Sequence, residues 1–385
     1  MDKKSIVTLS EISNTICYGY TASASISPVG SKFLRITDIT SQRVDWDNVP
    51  YCTITEKDSL KYKLYHGDIL IARTGATTGC NYMMDKNEDA VFASYLIRYQ
   101  INKNKALPEF VKYSLKTETW RGFVNGIVGG SAQPGANAKQ FGSYEFLLPP
   151  LPEQKAIASI LLSLDNKIDL LHRQNETLEA MAETLFKEWF VLNAKEEWEE
   201  KPLDEIATYL NGLACQKFPP KNDLNKLPVL KIKDLQSGIS EKSDWASTDI
   251  REEYLVKNGD VIFSWSASLI VKIWNGDDCI LNQHLFKVTS KSYPKWFYYL
   301  WTKQYLDEFI AVAKSHATTM GHIKRSDLKQ AIVKVPTKKE IAIMDEYFSP
   351  ILDKTITNHK QINILNKLRD TLLPKLMSGE VRINH

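Results

Sequence analysis

The chain repeats itself at half its own length. Leu34-Arg35-Ile36-Thr37-Asp38 precedes Gly67-Asp68-Ile69-Leu70-Ile71, and a stretch of apolar periodicity follows from Glu153 to Phe190. Leu230-Lys231-Ile232-Lys233-Asp234 then precedes Gly259-Asp260-Val261-Ile262-Phe263, and a second periodic stretch runs from Glu340 to Leu372. Solenoid repeats recur every ~20–50 residues, so this spacing points instead to two related arms in a pseudo-two-fold arrangement. The 385 residues leave room for two domains, each burying its own core. No apolar run reaches the ~18 residues of a bilayer span, and no signal-peptide core follows Met1-Asp2-Lys3-Lys4-Ser5. The five cysteines are scattered without CxxC spacing. The expectation is a cytoplasmic protein with no membrane partner and no disulfide framework.

In the first periodic stretch Ile157, Leu161, Leu164, Ile168, Leu171, Asn175, Leu178, Ala182, Leu185 and Trp189 alternate in steps of four and three. That is a heptad seam long enough for a coiled coil. Leu148-Pro149-Pro150-Leu151-Pro152-Glu153 marks its start, since proline forces extended backbone and then permits a first helical turn. Asn175 in the seam is either a register-fixing amide or a tolerated polar slip. The second stretch uses Phe348, Ile351, Ile362, Leu365 and Leu372, with Thr355, Asn358 and Arg369 interrupting, and Pro374 and Ser378-Gly379 are expected to end it. Two such helices can pair antiparallel within one chain. The bland alternative is a pair of core helices in one large domain.

Before Pro149 the sequence predicts strands over Val7–Leu9, Phe33–Ile36, Asp68–Ala72, Leu96–Ile101 and Phe146–Leu148, with helix from Pro108 to Gly122. The second half predicts strands over Val229–Ile232, Asp260–Ser264, Leu285–Val288 and Ile332–Val335, with helix over Pro294–Ala313. Polar, glycine-bearing loops recur at matched places. Arg73-Thr74-Gly75-Ala76-Thr77-Thr78-Gly79 corresponds to Ser264-Trp265-Ser266-Ala267-Ser268, and Gly129–Lys139 to Ser315–Arg325. Arg can bond guanine, Asn and Gln adenine, and Ser and Thr either. One such loop is ordinary solvated surface. Two, kept in both halves with altered tips, point to recognition. The candidates for base or phosphate contact are Arg73, Thr74, Thr77, Thr78, Gln133, Asn137 and Lys139 in the first half. In the second they are Ser264, Trp265, Ser266, Thr318, Thr319, His322, Lys324 and Arg325.

Net charge is only +3, too little to announce nucleic acid by itself. Cys80-Asn81 follows the Gly75–Gly79 loop where a P-loop needs Lys-Ser/Thr. No GxGxxG, GxSxG, HExxH or Asn/Asp-Pro-Pro-Tyr/Phe motif is present. His316 and His322 are close, but no carboxylate or cysteine set joins them, so no metal site is expected. The residues describe a reader with no catalytic site of its own.

Leu148-Pro149-Pro150-Leu151-Pro152-Glu153-Gln154-Lys155-Ala156-Ile157 resembles the start of the central helix of type I restriction–modification specificity subunits. Leu185–Val191 is similar to the end of that helix, and Leu372–Ile383 to the family's C-terminus. Gly67–Leu70 with Arg73-Thr74-Gly75, and Asn282-Gln283-His284-Leu285-Phe286, resemble its target recognition domains. Two places depart: Thr337-Lys338-Lys339-Glu340 stands where a second Pro-Leu-Pro-Glu-Gln belongs, and Trp265-Ser266 where the first half has Thr74-Gly75. The resemblance implies an α+β chain, with two mixed α/β target recognition domains separated by two long antiparallel helices forming an intramolecular coiled coil. The divisions expected are 1–150 and 196–336 for recognition, 151–195 and 337–385 for the helices. It further implies double-stranded DNA, two methyltransferase subunits and two restriction subunits as partners. S-adenosylmethionine, ATP and Mg would belong to those partners, and none to this chain. Two competing readings are a coiled-coil scaffold with protein-binding ends and a stand-alone enzyme with a cryptic site.

Overall fold

The computed structural model describes residues 5–40, 43–129, 135–315 and 321–382. It divides into two compact units, Met1–Asn166 with Asn366–His385, and Lys167–Leu365. In the first unit the strands are β1 (Ser5–Thr8), β2 (Ser13–Tyr18), β3 (Ser31–Leu34), β4 (Tyr51–Cys52), β5 (Asp68–Ala72), β6 (Asn81–Met83), β7 (Ala90–Phe92), β8 (Leu96–Ile101) and β9 (Glu145–Leu148). Its helices are α1 (Ile36–Ile39), α2 (Glu56–Tyr62), α3 (Pro108–Ser114), α4 (Glu118–Val128), α5 (Ala138–Gly142) and the first part of α6 (Leu151–Phe186). An antiparallel sheet runs β2-β8-β5-β6, a second runs β4-β3-β7 with β3 and β7 parallel, and β1 pairs with β9.

The second unit repeats this plan. Its strands are β10 (Glu199–Pro202), β11 (Thr208–Asn211), β12 (Lys226–Leu230), β13 (Trp245–Ser247), β14 (Leu255–Val256), β15 (Val261–Ser264), β16 (Ile270–Ile273), β17 (Cys279–Leu281), β18 (Leu285–Thr289) and β19 (Ile332–Val335). The helices are α7 (Leu203–Ile206), α8 (Ile232–Ser237), α9 (Lys295–Gln304), α10 (Leu306–Ser315), α11 (Arg325–Gln330) and most of α12 (Lys338–Ser378). The sheets are β11-β18-β15-β16 and β13-β12-β17-β14, with β12 and β17 parallel, and β10 pairs with β19.

The repeated motifs turn out to be framework. β5 reads as an unbroken apolar run because both of its faces are covered. Ile69 and Ile71 face Phe110 and Trp120, while Leu70 and Ala72 face Leu34 and Phe92. Before β5, Gly67 takes φ +93, and before β15, Gly259 takes φ +95, a region that side chains disfavour. The following aspartates fold back on the turn: Asp68 Oδ2 accepts from Tyr65 N at 3.0 Å and Asp260 Oδ2 from Lys257 N at 2.8 Å. Each also meets a cation from the neighbouring strand, Arg98 at 3.6 Å and Lys287 at 2.9 Å. The other shared motif ends in an aspartate that caps a short helix. Asp38 accepts from Arg35 N and Asp234 from Lys231 N.

The heptad seam is the buried face of α6. Within the first unit Ile157 and Leu161 pack with Leu376, and Asp165 meets Arg369 at 3.2 Å. Within the second, Ile168 and Leu171 pack with Ile362 and Leu365, and Phe186 lies 6.5 Å from Phe348. In both units partners fall in number along α12 as they rise along α6, so the helices run antiparallel. The polar interruptions at Asn175 and Asn358 meet each other: Asn358 Nδ2 donates to Asn175 Oδ1 at 2.9 Å, with both residues buried.

Several boundaries differ from expectation. Pro374 does not end the second helix. α12 passes through the exposed Pro350 and Pro374, where water can serve the carbonyls that proline leaves unbonded, and stops at Gly379 with φ +77. The Pro108–Gly122 helix is two helices, because Thr117 caps α4 by accepting from Trp120 N at 3.3 Å. Pro294–Ala313 is likewise broken after Gln304. Ile36 belongs to a helical turn instead of a strand. Both long-helix starts are locked by side chains. The buried Gln154 donates to Pro149 O at 2.7 Å and accepts from Leu107 N at 2.8 Å. Thr337 and Glu340 form a reciprocal cap, and Glu340 also accepts from Lys195 at 2.6 Å.

Asp68 and Arg98 are more buried than Asp260 and Lys287. Asp68→Ala should therefore cost about 3 kcal/mol and Asp260→Ala less, compared by urea denaturation. The Glu340 carboxyl is held down to about 2 by its hydrogen bonds to Lys195 and Thr337. Its contribution is present above the ordinary value of 4.5 and lost as pH falls toward 2. The stability gap between the parent and Glu340→Gln should close over that window.

Candidate nucleic-acid interface

Strand register aligns the two units residue by residue. Ala72 pairs with Leu96 and Ser264 with Leu285, so Arg73 and Trp265 are the first residues beyond equivalent strand ends. Tyr18 opposes Ile97 and Asn211 opposes Phe286, which makes Tyr18 and Asn211 equivalent, and likewise Tyr95 and His284. Thr74 bridges Gly135, and Ser266 bridges His322. Both pairs of recurring loops are thus brought together, one pair at the end of each four-stranded sheet. The register also corrects the sequence alignment by one place. Trp265 answers to Arg73 and not to Thr74, and Lys324 answers to Asn137.

In the first unit the Arg73 guanidinium lies 4.8 Å over the Tyr18 ring, and the Tyr18 hydroxyl accepts from Ala138 N at 3.1 Å. Ala136 N donates to Arg73 O at 3.0 Å, tying the two loops. Burial pushes the Tyr99 phenol up, so it stays protonated and donates to Ala138 O at 2.6 Å. Gly75 and Gly79 have φ +77 and +86, and a Cβ on Gly79 would lie 2.7 Å from Val124. Thr78 Oγ1 donates to Gly75 O at 2.7 Å and the Trp120 indole to Gly79 O at 3.0 Å. Thr74 and Thr77 are half-buried on this loop, and Lys139 is exposed. Asn137 is exposed but engaged: its Oδ1 accepts from Gln140 N at 2.9 Å, capping α5.

In the second unit the Trp265 indole donates to Asn211 Oδ1 at 3.1 Å and lies 5.8 Å from the His284 ring and 6.2 Å from His322. Ala267 N donates to Gly321 O at 2.8 Å and Ile323 N to Trp265 O at 3.0 Å. Ser264 is fully buried, its hydroxyl turned to Ser266 O at 3.2 Å, and Ser266 is buried beside His284 Nδ1 at 3.3 Å. These two serines shape the loop. Arg325 is exposed, bonds Tyr209 O at 3.2 Å and lies 5.7 Å over Phe286. Lys324 is exposed, and Asp327 caps α11 in the role that Gln140 shares with Asn137. Gln133, Thr318 and Thr319 lie outside the described residues.

Sequence reading missed Tyr18, Tyr95, Asn211 and His284. Tyr95 is 60% exposed at the tip between β7 and β8. The available signal was the register itself: Tyr95 and His284 fall opposite Arg73 and Trp265 across one strand pair, and Tyr18 and Asn211 lie on the next strand over. One frame therefore carries Arg, Tyr and Tyr in one unit and Trp, Asn and His in the other. The frame is kept and the donor and acceptor set is changed.

A duplicated α+β frame with paired loops of differing chemistry, joined to two long helices, makes a chain of two related domains. The chain belongs to the type I restriction modification DNA specificity domain family, whose model matches residues 2–180 and 195–367. It is 28% identical over 310 residues to the type I restriction enzyme MjaIX specificity subunit of Methanocaldococcus jannaschii, covering 74% of this chain and 71% of that one. It is 24% identical to the putative MjaX specificity subunit of the same organism, over 97% of this chain and 93% of that one. The solved type I restriction–modification S subunit from M. genitalium shares the fold, with a TM-score of 0.60 at 13% identity, over 97% of this chain and 96% of that one.

If Asn137 serves the fold, Asn137→Ala should cost about 1 kcal/mol and Asn137→Ser should restore it. Lys324→Ala should stay within about 0.5 kcal/mol of the parent, because Asp327 does the capping. Thermal melting of the three variants checks both outcomes.

Proposed function

We propose that this chain is the non-catalytic specificity subunit of a type I restriction–modification complex. Each unit reads one part of a bipartite, asymmetric site in double-stranded DNA. The observation carrying this reading is the shared frame with changed tips, Tyr18, Arg73 and Tyr95 against Asn211, Trp265 and His284. An arginine presents paired donors suited to guanine. A tryptophan–histidine–amide set offers stacking and different hydrogen bonds. Thr77, Thr78, Lys139, His322, Lys324 and Arg325 surround these positions as candidate base or phosphate contacts. The antiparallel helix pairing seen within each unit supports a spacer that sets the gap between half-sites. Half-sites on one face of B-DNA recur every ~34–36 Å, and a 36-residue helix extends ~54 Å.

The helices also dock two methyltransferase subunits, and two restriction subunits complete the assembly in the cytoplasm. S-adenosylmethionine, ATP and Mg act in those partners. A net charge of +3 supplies little counterion release, so the isolated chain binds DNA weakly and the assembly binds it tightly.

Mapping methylated positions in DNA exposed to the reconstituted complex tests the reading. Arg73→Ala should relax one half-site and Trp265→Ala the other, each by roughly 10- to 100-fold in discrimination. A substitution in one unit that alters both half-sites would end the modular reading, and a chain not retained on DNA even with its methyltransferase would favour a protein-binding scaffold.

A further inference from the structure

Among the described residues, none accepts a hydrogen bond from the Arg73 side chain, and its guanidinium lies 4.8 Å over the Tyr18 ring. Arg35, Arg98, Arg121, Arg251 and Arg369 each meet a carboxylate instead. The Arg73 Nε is shut off from solvent with no partner among the described residues. The donors left to face outward are therefore the paired groups on Nη1 and Nη2. A guanidinium is planar, so a ring against its face leaves that edge free.

The ring is itself held at both ends. Tyr18 closes β2 opposite Ile97, and its hydroxyl accepts from Ala138 N at 3.1 Å. The Ala138 carbonyl accepts in turn from the Tyr99 hydroxyl at 2.6 Å. Ala136 N donates to Arg73 O at 3.0 Å, so one loop fixes both the ring and the backbone of the arginine. The guanidinium has its place before any ligand arrives, and less side-chain freedom is lost on contact.

An edge made only of donors calls for two acceptors side by side. Guanine has them at O6 and N7 in the major groove. Adenine sets a donor beside its N7, thymine has O4 alone and cytosine offers a donor. The second unit has no such edge. Trp265 stands in the place of Arg73, is uncharged, and donates its indole N–H to Asn211 Oδ1 at 3.1 Å.

We propose that the first half-site contains a guanine read end-on by Nη1 and Nη2 of Arg73, with Tyr18 the positioning residue for that contact. This rests on the reading of the chain as a specificity subunit, and adds the base read and the side chain that aims the arginine at it.

The test is methylation by the complex reconstituted with its methyltransferase. Each guanine in either strand of the first half-site is replaced in turn by 7-deazaguanine, which lacks the N7 acceptor. The parent should lose about tenfold in rate at one such position. Arg73→Lys keeps the charge without the fork. Tyr18→Ala and Tyr18→Leu remove the ring, the second without emptying its space. All three should be slower on the natural site and indifferent to the replacement. Tyr18→Phe keeps the ring and should stay within about threefold of the parent. A first half-site without guanine, or a parent indifferent to every replacement, would overturn the proposal and leave the reading of the chain standing. Tyr18→Leu that keeps the parent's rate and sensitivity would overturn it too. So would variants that lose binding equally on every duplex, which would place Arg73 on a phosphate. A complex that methylates no bipartite site would end the proposed function, and this inference with it.

Discussion

The strands from which both sets of candidate loops start share one contact made twice, the aspartate at the start of the central strand against a cation on the next strand. Asp68 with Arg98 and Asp260 with Lys287 join β5 to β8 and β15 to β18 near one end of each sheet. Burial raises the Asp68 carboxyl, and the Arg98 charge and the Tyr65 N–H act against that rise. A buried pair of this kind adds little net stability, because desolvation offsets much of the attraction. Its value is positional. Fixing register at one end of the strands fixes which residues emerge at the other, where Arg73 and Trp265 begin their loops.

That division of labour explains why the repeated motifs of the sequence are not the site. The repeated Gly-Asp pairs supply a left-handed turn and a carboxylate that is buried at Asp68 and half-buried at Asp260, and the other shared aspartates cap helices. All are needed whatever the protein binds. The residues that differ at equivalent positions hold one another and their own loops instead, as Arg73 lies over Tyr18 in one unit and Trp265 bonds Asn211 in the other. Asn137 is an instructive mixture: it sits on the candidate face, yet its amide is spent on the start of α5.

The duplication was legible because framework motifs recur, and β5, β8 and β19 were placed to the residue because each is bounded by turn chemistry. The heptad seam was legible because burial repeats with the helix period. What local reasoning missed has tertiary causes. β2 is an exposed edge strand whose alternation is too weak to announce it. Pro374 reads as a stop, yet its exposed position lets the helix continue. Of the candidate site residues, Ser264 and Ser266 had the right chemistry but the wrong direction, since strand alternation and a tight loop turn them inward. Tyr18 and His284 could be found only by pairing strands, which no local pattern provides.

The asparagine pair in the helix seam carries a further consequence. Asn358 Nδ2 bonds Asn175 Oδ1, while Asn175 Nδ2 and Asn358 Oδ1 find no partner among the described residues. The match is tolerable in one alignment, and any slip would set an amide against leucine or isoleucine. An insertion in α6 alone would therefore be penalised at this point of the seam, whereas equal insertions in both helices on the same side of the pair would not. Lengthening one helix therefore calls for an equal lengthening of the other.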